Sequence, residues 1–133
     1  MTITSQTIAE RASYDVGVFP QDVGTSDVTG DWFSMESFNR VAAKAVSGEA
    51  ADTETFTVQL LQATDSSGSD SKDLGTAVVA TSGDADTVLE VLQEAKASDL
   101  DDGFTHVAVK LASSETGLDG AAVLIRADGA YRP

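Results

Sequence analysis

Thr55-Phe-Thr-Val-Gln-Leu-Leu-Gln-Ala63 decides the fold class. Phe56, Val58 and Leu60 alternate with Thr57 and Gln59. Side chains of period two line one face of a β-strand, and β-branched and aromatic residues suit that pleated, half-buried surface. The run stops at Thr64-Asp-Ser-Ser-Gly-Ser-Asp-Ser-Lys-Asp73, which has no apolar residue, and Leu74-Gly-Thr-Ala-Val-Val-Ala80 then reads as another strand. Two strands joined this way predict a long hairpin whose tip projects into solvent.

Working toward the C-terminus, Phe104-Thr-His-Val-Ala-Val-Lys-Leu111 is a strong strand, with Thr105, Val107, Val109 and Leu111 on one side. Ala121-Ala-Val-Leu-Ile-Arg126 is a final one. Thr87-Val-Leu-Glu-Val-Leu-Gln-Glu-Ala-Lys96 fits two periods. As a strand it turns Leu89, Val91 and Ala95 one way and Glu90 and Glu94 the other. As a helix it gathers Val88, Leu89, Val91, Leu92 and Ala95 behind an Asp86 or Thr87 N-cap. The all-β surroundings favour the strand. Ser98-Asp-Leu-Asp-Asp-Gly103 is a turn with room for one helical turn capped by Ser98.

Toward the N-terminus, Trp32 to Val46 reads as a strand, with Phe33, Met35, Val41, Ala43 and Ala45 on its core parity and Arg40 and Lys44 on the other. A helix competes there through Ala42 to Ala45. Residues 1–30 are rich in turn formers and predict an irregular arm with at most one or two short strands. Ile3, Ile8, Val16, Val18 and Phe19 make it too apolar for a free tail. It is either a strand on the domain's edge or an arm that orders on a neighbouring subunit. The expected architecture is an all-β antiparallel sandwich, jelly-roll-like, over residues 31–133, preceded by that arm. No strand–helix–strand rhythm supports a nucleotide-binding parallel sheet.

Composition narrows the function. Twenty-two acidic residues against eight basic ones give the 133-residue chain a formal charge of −14. Such a chain opposes the phosphate neutralisation on which nucleic-acid binding depends, and anionic membranes repel it. No apolar run approaches a membrane span, and the first residues lack the pattern of a signal peptide. With no cysteine, thiolate nucleophiles, disulfides and zinc-thiolate sites are excluded within the chain. Asp65, Asp70 and Asp73, and separately Asp99, Asp101 and Asp102, carry oxygen ligands of the type Ca²⁺ takes, without the glycine and glutamate placement of an EF-hand. His106 is the single histidine and sits at the polar parity of its strand. Neither a Gly-x-Ser-x-Gly elbow nor a phosphate-binding loop is present. The reading is therefore non-enzymatic, with no cofactor and no metal.

Asp31-Trp-Phe-Ser-Met-Glu-Ser-Phe-Asn-Arg40, Thr55 to Asp65 followed by Gly68 and Lys72, Ala97-Ser-Asp-Leu-Asp-Asp-Gly-Phe-Thr-His-Val107, and the tail Gly129-Ala-Tyr-Arg-Pro133 resemble small structural proteins of tailed-bacteriophage heads. The likeness spans residues 31 to 133 and points to capsid decoration, or cement, proteins. The resemblance implies a small β-sandwich or jelly roll, binding to the major capsid protein lattice of the same virion with reinforcement of the head, and a place on the virion surface after synthesis in the host cytoplasm. A homo-oligomer, dimer or trimer, is the expected state. Candidate capsid or subunit contacts are Ile3, Ile8, Tyr14, Phe19, Arg40, Lys44, Lys72, Arg126 and Arg132, together with the loop from Thr64 to Asp73. The cations are included because like-charged subunits need local attraction to associate. Trp32 and Phe33 stand as either core residues or interface anchors. Two other functions remain open: a head–tail connector or tail component, and a Ca²⁺- or carbohydrate-binding β module.

Overall fold

The computed structural model describes residues 12–24 and 26–129. These carry the strands β1 (Ala12–Asp22), β2 (Val28–Thr29), β3 (Phe33–Ser34), β4 (Phe38–Ala50), β5 (Thr55–Ala63), β6 (Lys72–Asp73), β7 (Val78–Thr81), β8 (Thr87–Lys96), β9 (His106–Ser113) and β10 (Asp119–Gly129). A 3₁₀ turn, Ala97–Asp99, follows β8. One sheet has the order β1-β10-β4-β8. The other has the order β2-β9-β5-β6, with β3 also pairing β9 and β7 also pairing β5. All pairs are antiparallel. Taking β2 with β3, and β6 with β7, as interrupted single strands leaves eight. The first, eighth, third and sixth form one sheet, and the second, seventh, fourth and fifth form the other. That order is a jelly roll, the sandwich expected from the sequence.

The alternating residues face one another across the sandwich. Val41, Ala43 and Ala45 of β4, Leu89 and Val91 of β8 and Leu124 of β10 meet Phe56, Val58 and Leu60 of β5 and Val107, Val109 and Leu111 of β9. Small residues on the four-stranded side let the two sheets approach closely. Gly30 marks the tightest point: a Cβ there would lie 1.5 Å from the Gly17 carbonyl oxygen, so only glycine fits.

Residues 87–96 are a strand. Leu89, Val91, Gln93 and Ala95 are buried, and the residues between them are outside. Residues 12–22 form an eleven-residue edge strand on β10, longer than the one or two short strands expected of an irregular arm. The run from Trp32 to Val46 is not one strand. β3 belongs to the six-stranded sheet and β4 to the other, and the chain crosses between them at a turn closed by Phe38 N–H on the Met35 carbonyl. Phe33, Met35, Val41, Ala43 and Ala45 still share the core, because the crossing keeps each turned inward. The expected strand from Leu74 to Ala80 is interrupted for a comparable reason. Leu74 drops into the core and Gly75 takes a φ of +75°, which separates β6 from β7.

That interruption leaves backbone groups of β5 without a neighbouring strand, and two buried glutamines serve them. Leu60 N–H donates to Gln93 Oε1 at 2.6 Å, while Gln93 Nε2 donates to the carbonyls of Leu74 and Thr76, each at 3.0 Å. Gln59 Nε2 also reaches the Leu74 carbonyl, at 3.2 Å. A buried backbone group without a partner costs roughly 1–3 kcal/mol. Gln93→Leu keeps the volume but strips these partners, and is expected to lower unfolding free energy by about 2–3 kcal/mol in urea titration. A loss below about 0.5 kcal/mol would show that water replaces the amide.

Candidate functional interface

In the four-stranded sheet, residues opposite one another share a face. The register therefore places Tyr14, Ile125, Ala42 and Glu94 in one row on the outer face. The next row is Val16, Val123, Lys44 and Leu92. Ala121, Val46 and Glu90 follow, then Glu49 and Val88. Phe19 also points outward from β1, beside buried Val18. Tyr14, Val16, Phe19, Val46, Val88, Leu92 and Val123 are each 40 to 65 % exposed. Among the described residues, Val79 is the one other large apolar side chain so exposed, and it lies on the six-stranded sheet. Scattered apolar surface residues are ordinary, whereas seven gathered on one sheet face make that face a candidate docking surface.

At one end of this face is a groove of about 580 Å³. Ala42, Ala95 and Ala127 provide small side chains to its lining, beside Leu92 and Ile125, with Arg40, Lys96 and Glu94 among its charged residues. The electrostatics of the face also differ from those of the whole chain. Arg40, Lys44 and Lys96 stand there with Glu49, Glu90, Glu94, the Asp128 that pairs with Arg40 and the Asp99 of the groove, a smaller acidic excess than that of the whole chain, whose formal charge is −14. Lys44 Nζ lies 3.3 Å from Glu90, and Arg40 pairs with Asp128. Exposed pairs of this kind contribute little stability, but they hold the cations within the apolar surface.

Four of the sequence candidates are brought together here: Tyr14, Phe19, Arg40 and Lys44. Two lie elsewhere. Lys72 pairs with Asp101 and sits 4.6 Å from the centroid of the Phe104 ring. Arg126, whose side chain is 14 % exposed, is directed between the sheets. It pairs with Asp15 at 2.9 Å, donates to the Ser34 carbonyl at 2.7 Å and packs over the Phe33 and Phe38 rings. Ile3, Ile8 and Arg132 lie outside the described residues. Val16, Val46, Val88, Leu92 and Val123 were not singled out as contacts from the sequence. Their signal was an apolar residue at the outward parity of strands whose inward parity was already apolar.

The loop from Thr64 to Asp73 carries no apolar side chain, as expected, but it folds back instead of simply projecting. Gly68, at φ +80°, rests on the Trp32 indole; a Cβ there would meet Nε1 at 2.5 Å. Trp32 is thus neither part of the buried core nor part of the apolar face. Asp65 Oδ1 accepts the backbone N–H groups of Ser67 at 2.9 Å and Ser69 at 3.1 Å. The Ser69 backbone and side-chain bonds hold the Asp65 carboxyl below the usual carboxylate range, with smaller help from Ser67 and from the charge of His106. This carboxylate organises its own loop. Asp101 is taken by Lys72, and Asp99 Oδ2 accepts the Lys96 N–H at the 3₁₀ turn, whose N-cap is Lys96; Ser98, the expected cap, lies inside the turn. Among the described residues no three His, Asp or Glu side chains gather to hold a metal ion, and no helix is long and apolar enough to cross a membrane.

No family model and no curated protein matches the chain. The fold, however, recurs in virus particles. A structure of infectious bursal disease virus, Gx strain, matches with a TM-score of 0.56 at 12 % identity, covering 92 % of this chain and 33 % of that one. The VP2 subviral particle of the same virus matches with a TM-score of 0.52 at 9 % identity, covering 90 % of this chain and 32 % of that one. The protein spans about a third of the length of these neighbours. At such identities the shared property is the β-sandwich itself.

Proposed function

We propose that the protein is a non-enzymatic structural component of a virus particle, a cement protein that binds the outside of a tailed-phage capsid lattice and stabilises the head. The outer face of the four-stranded sheet is the surface turned toward the major capsid protein, with Tyr14, Phe19, Arg40 and Lys44 among its contacts. The observation that carries this reading is the concentration of exposed apolar side chains on that one face, where Arg40, Lys44 and Lys96 of the chain's eight basic residues also stand. A cement protein needs a stable scaffold and a complementary surface, and needs no catalytic group. A fold shared with virus-particle structures, and the resemblance in residues 31–133, support the same assignment. Net negative charge keeps free subunits soluble and away from packaged nucleic acid, which favours the outer side of the shell. Copies arrayed on a lattice also gain from multivalency, so one modest face suffices.

Cosedimentation of the purified protein with capsid shells lacking it tests the proposal. Saturable binding at a stoichiometry near that of the major capsid subunit is expected. Absence of binding, or saturation at a few copies per shell, would overturn it in favour of a connector or tail component.

A further inference from the structure

The two edges of the four-stranded sheet differ. β1 is irregular: its register with β10 shifts between Val16 and Val18 and again between Val18 and Gln21, and Pro20 removes a backbone donor. These are devices by which natural proteins keep an edge from pairing. β8 runs for ten residues, contains neither proline nor glycine, and has no charged side chain turned into the core. Its one shift of register against β4 comes from an irregularity between Val46 and Glu49 on the partner strand. Among the described residues, no further strand pairs the outer edge of β8, which is closed at one end where the Lys96 N–H donates to Asp99 Oδ2.

From this edge and its charge pattern we infer that β8 pairs antiparallel with β8 of a second copy about a two-fold axis. The outward side chains distinguish the registers, and the one that opposes Glu90 to Lys96 is favoured by attraction. An axis at Leu92 would set Glu90 opposite Glu94 twice, and one at Glu94 would oppose that residue to itself. An axis at Gln93 sets Glu90 opposite Lys96 of the partner on both sides, and Val91 opposite Ala95 on the inner face. Opposite charges directly across an antiparallel pair attract, and like charges repel. The closure is isologous and ends at two copies. Pairing makes one continuous eight-stranded sheet and joins two copies of the apolar face, so a dimer presents twice the surface of a single chain. The inference goes beyond the capsid assignment and holds or fails without it.

Sedimentation velocity of the full chain, without shells, tests the dimer across a wide concentration series. The expected species has twice the 13.7 kDa chain mass. Lys96→Glu and Glu90→Lys, each alone, are expected to raise the dimer dissociation constant about ten-fold, since each converts two attractive cross-pairs into repulsive ones. The double exchange, Glu90→Lys with Lys96→Glu, restores the pairing and is expected to recover dimerisation. Circular dichroism of each variant verifies the fold, and recovery by the double exchange separates lost pairing from lost stability. Val79→Glu, on the other sheet, should leave the dimer unchanged. A monomer at every concentration would overturn the inference. So would a dimer indifferent to both single changes, which would place the contact on another surface.

Discussion

Val16→Glu combined with Val46→Glu is expected to abolish binding to capsid shells while leaving the protein folded. Both side chains point away from the core, on β1 and β4 of the same face, so neither substitution opens a cavity. Surface changes of this kind usually shift stability by no more than about 0.5 kcal/mol. At a covered interface the same carboxylates must lose their water without gaining a partner, a far larger cost. Val46 lies opposite Glu90, so a new carboxylate there also meets like charge. Together the two substitutions should weaken docking about 100-fold or more. Val79→Glu is the matched control, because that residue is as exposed but lies on the six-stranded sheet. Equal loss of binding by Val79→Glu would contradict the choice of face, and unimpaired binding by the double variant would remove the face from the account.

Arg126→Met is expected to produce the largest loss of stability. The guanidinium joins both sheets: it pairs with Asp15 of β1 and donates to Ser34 of β3, from its own position on β10. The rings of Phe33 and Phe38 flank it, with the centroids 5.3 and 4.7 Å away. Methionine retains some of the packing but leaves the Asp15 carboxylate and the Ser34 carbonyl without their cationic partner. Breaking a buried pair from one side costs several kcal/mol, and Asp15 retains some water contact, so a loss of about 2–4 kcal/mol is expected by chemical denaturation. Adding Asp15→Asn should recover part of the loss, because no unpaired charge then remains. A loss below about 0.5 kcal/mol would mean that Arg126 behaves as an ordinary surface cation.

The two arginines Arg40 and Arg126 show how far the sequence could be read. Both occur on strands of an acidic chain, and both were candidates for contacts with another subunit. Local alternation places Arg40 on the outer face of β4 correctly. Arg126 occupies an inward position, opposite Val41, near one end of its strand. There the aromatic residues of another part of the chain close over it. Sequence periodicity reports which face a residue takes, not what a distant segment brings to that face.

The same limit explains the interrupted strands. Strand character was legible in β5, β9 and β10, because alternation is local; residues 87–96 fitted a helix as well, and only their all-β surroundings favoured β8 as a strand. The breaks at Met35 to Ser37 and at Leu74 to Thr76 depend on which sheet the next segment joins, and on Gln59 and Gln93, which are distant from the second break in sequence but reach it through space. The apolar face was only partly legible for a related reason. Val46, Leu92 and Val123 lie at the second parity of strands whose first parity already supplied a core, and nothing local says whether a second apolar face is covered within the chain. Tyr14 and Phe19 stood out because the first thirty residues contained more apolar side chains than a free tail would carry.

Electron cryo-microscopy of shells saturated with the purified protein tests the central claim most directly. The account predicts density for the jelly roll with its four-stranded sheet against the lattice, so that Val16, Val46 and Val123 are covered and Val79 faces solvent. A bound jelly roll with the six-stranded sheet against the shell, and those three valines open to solvent, would contradict it.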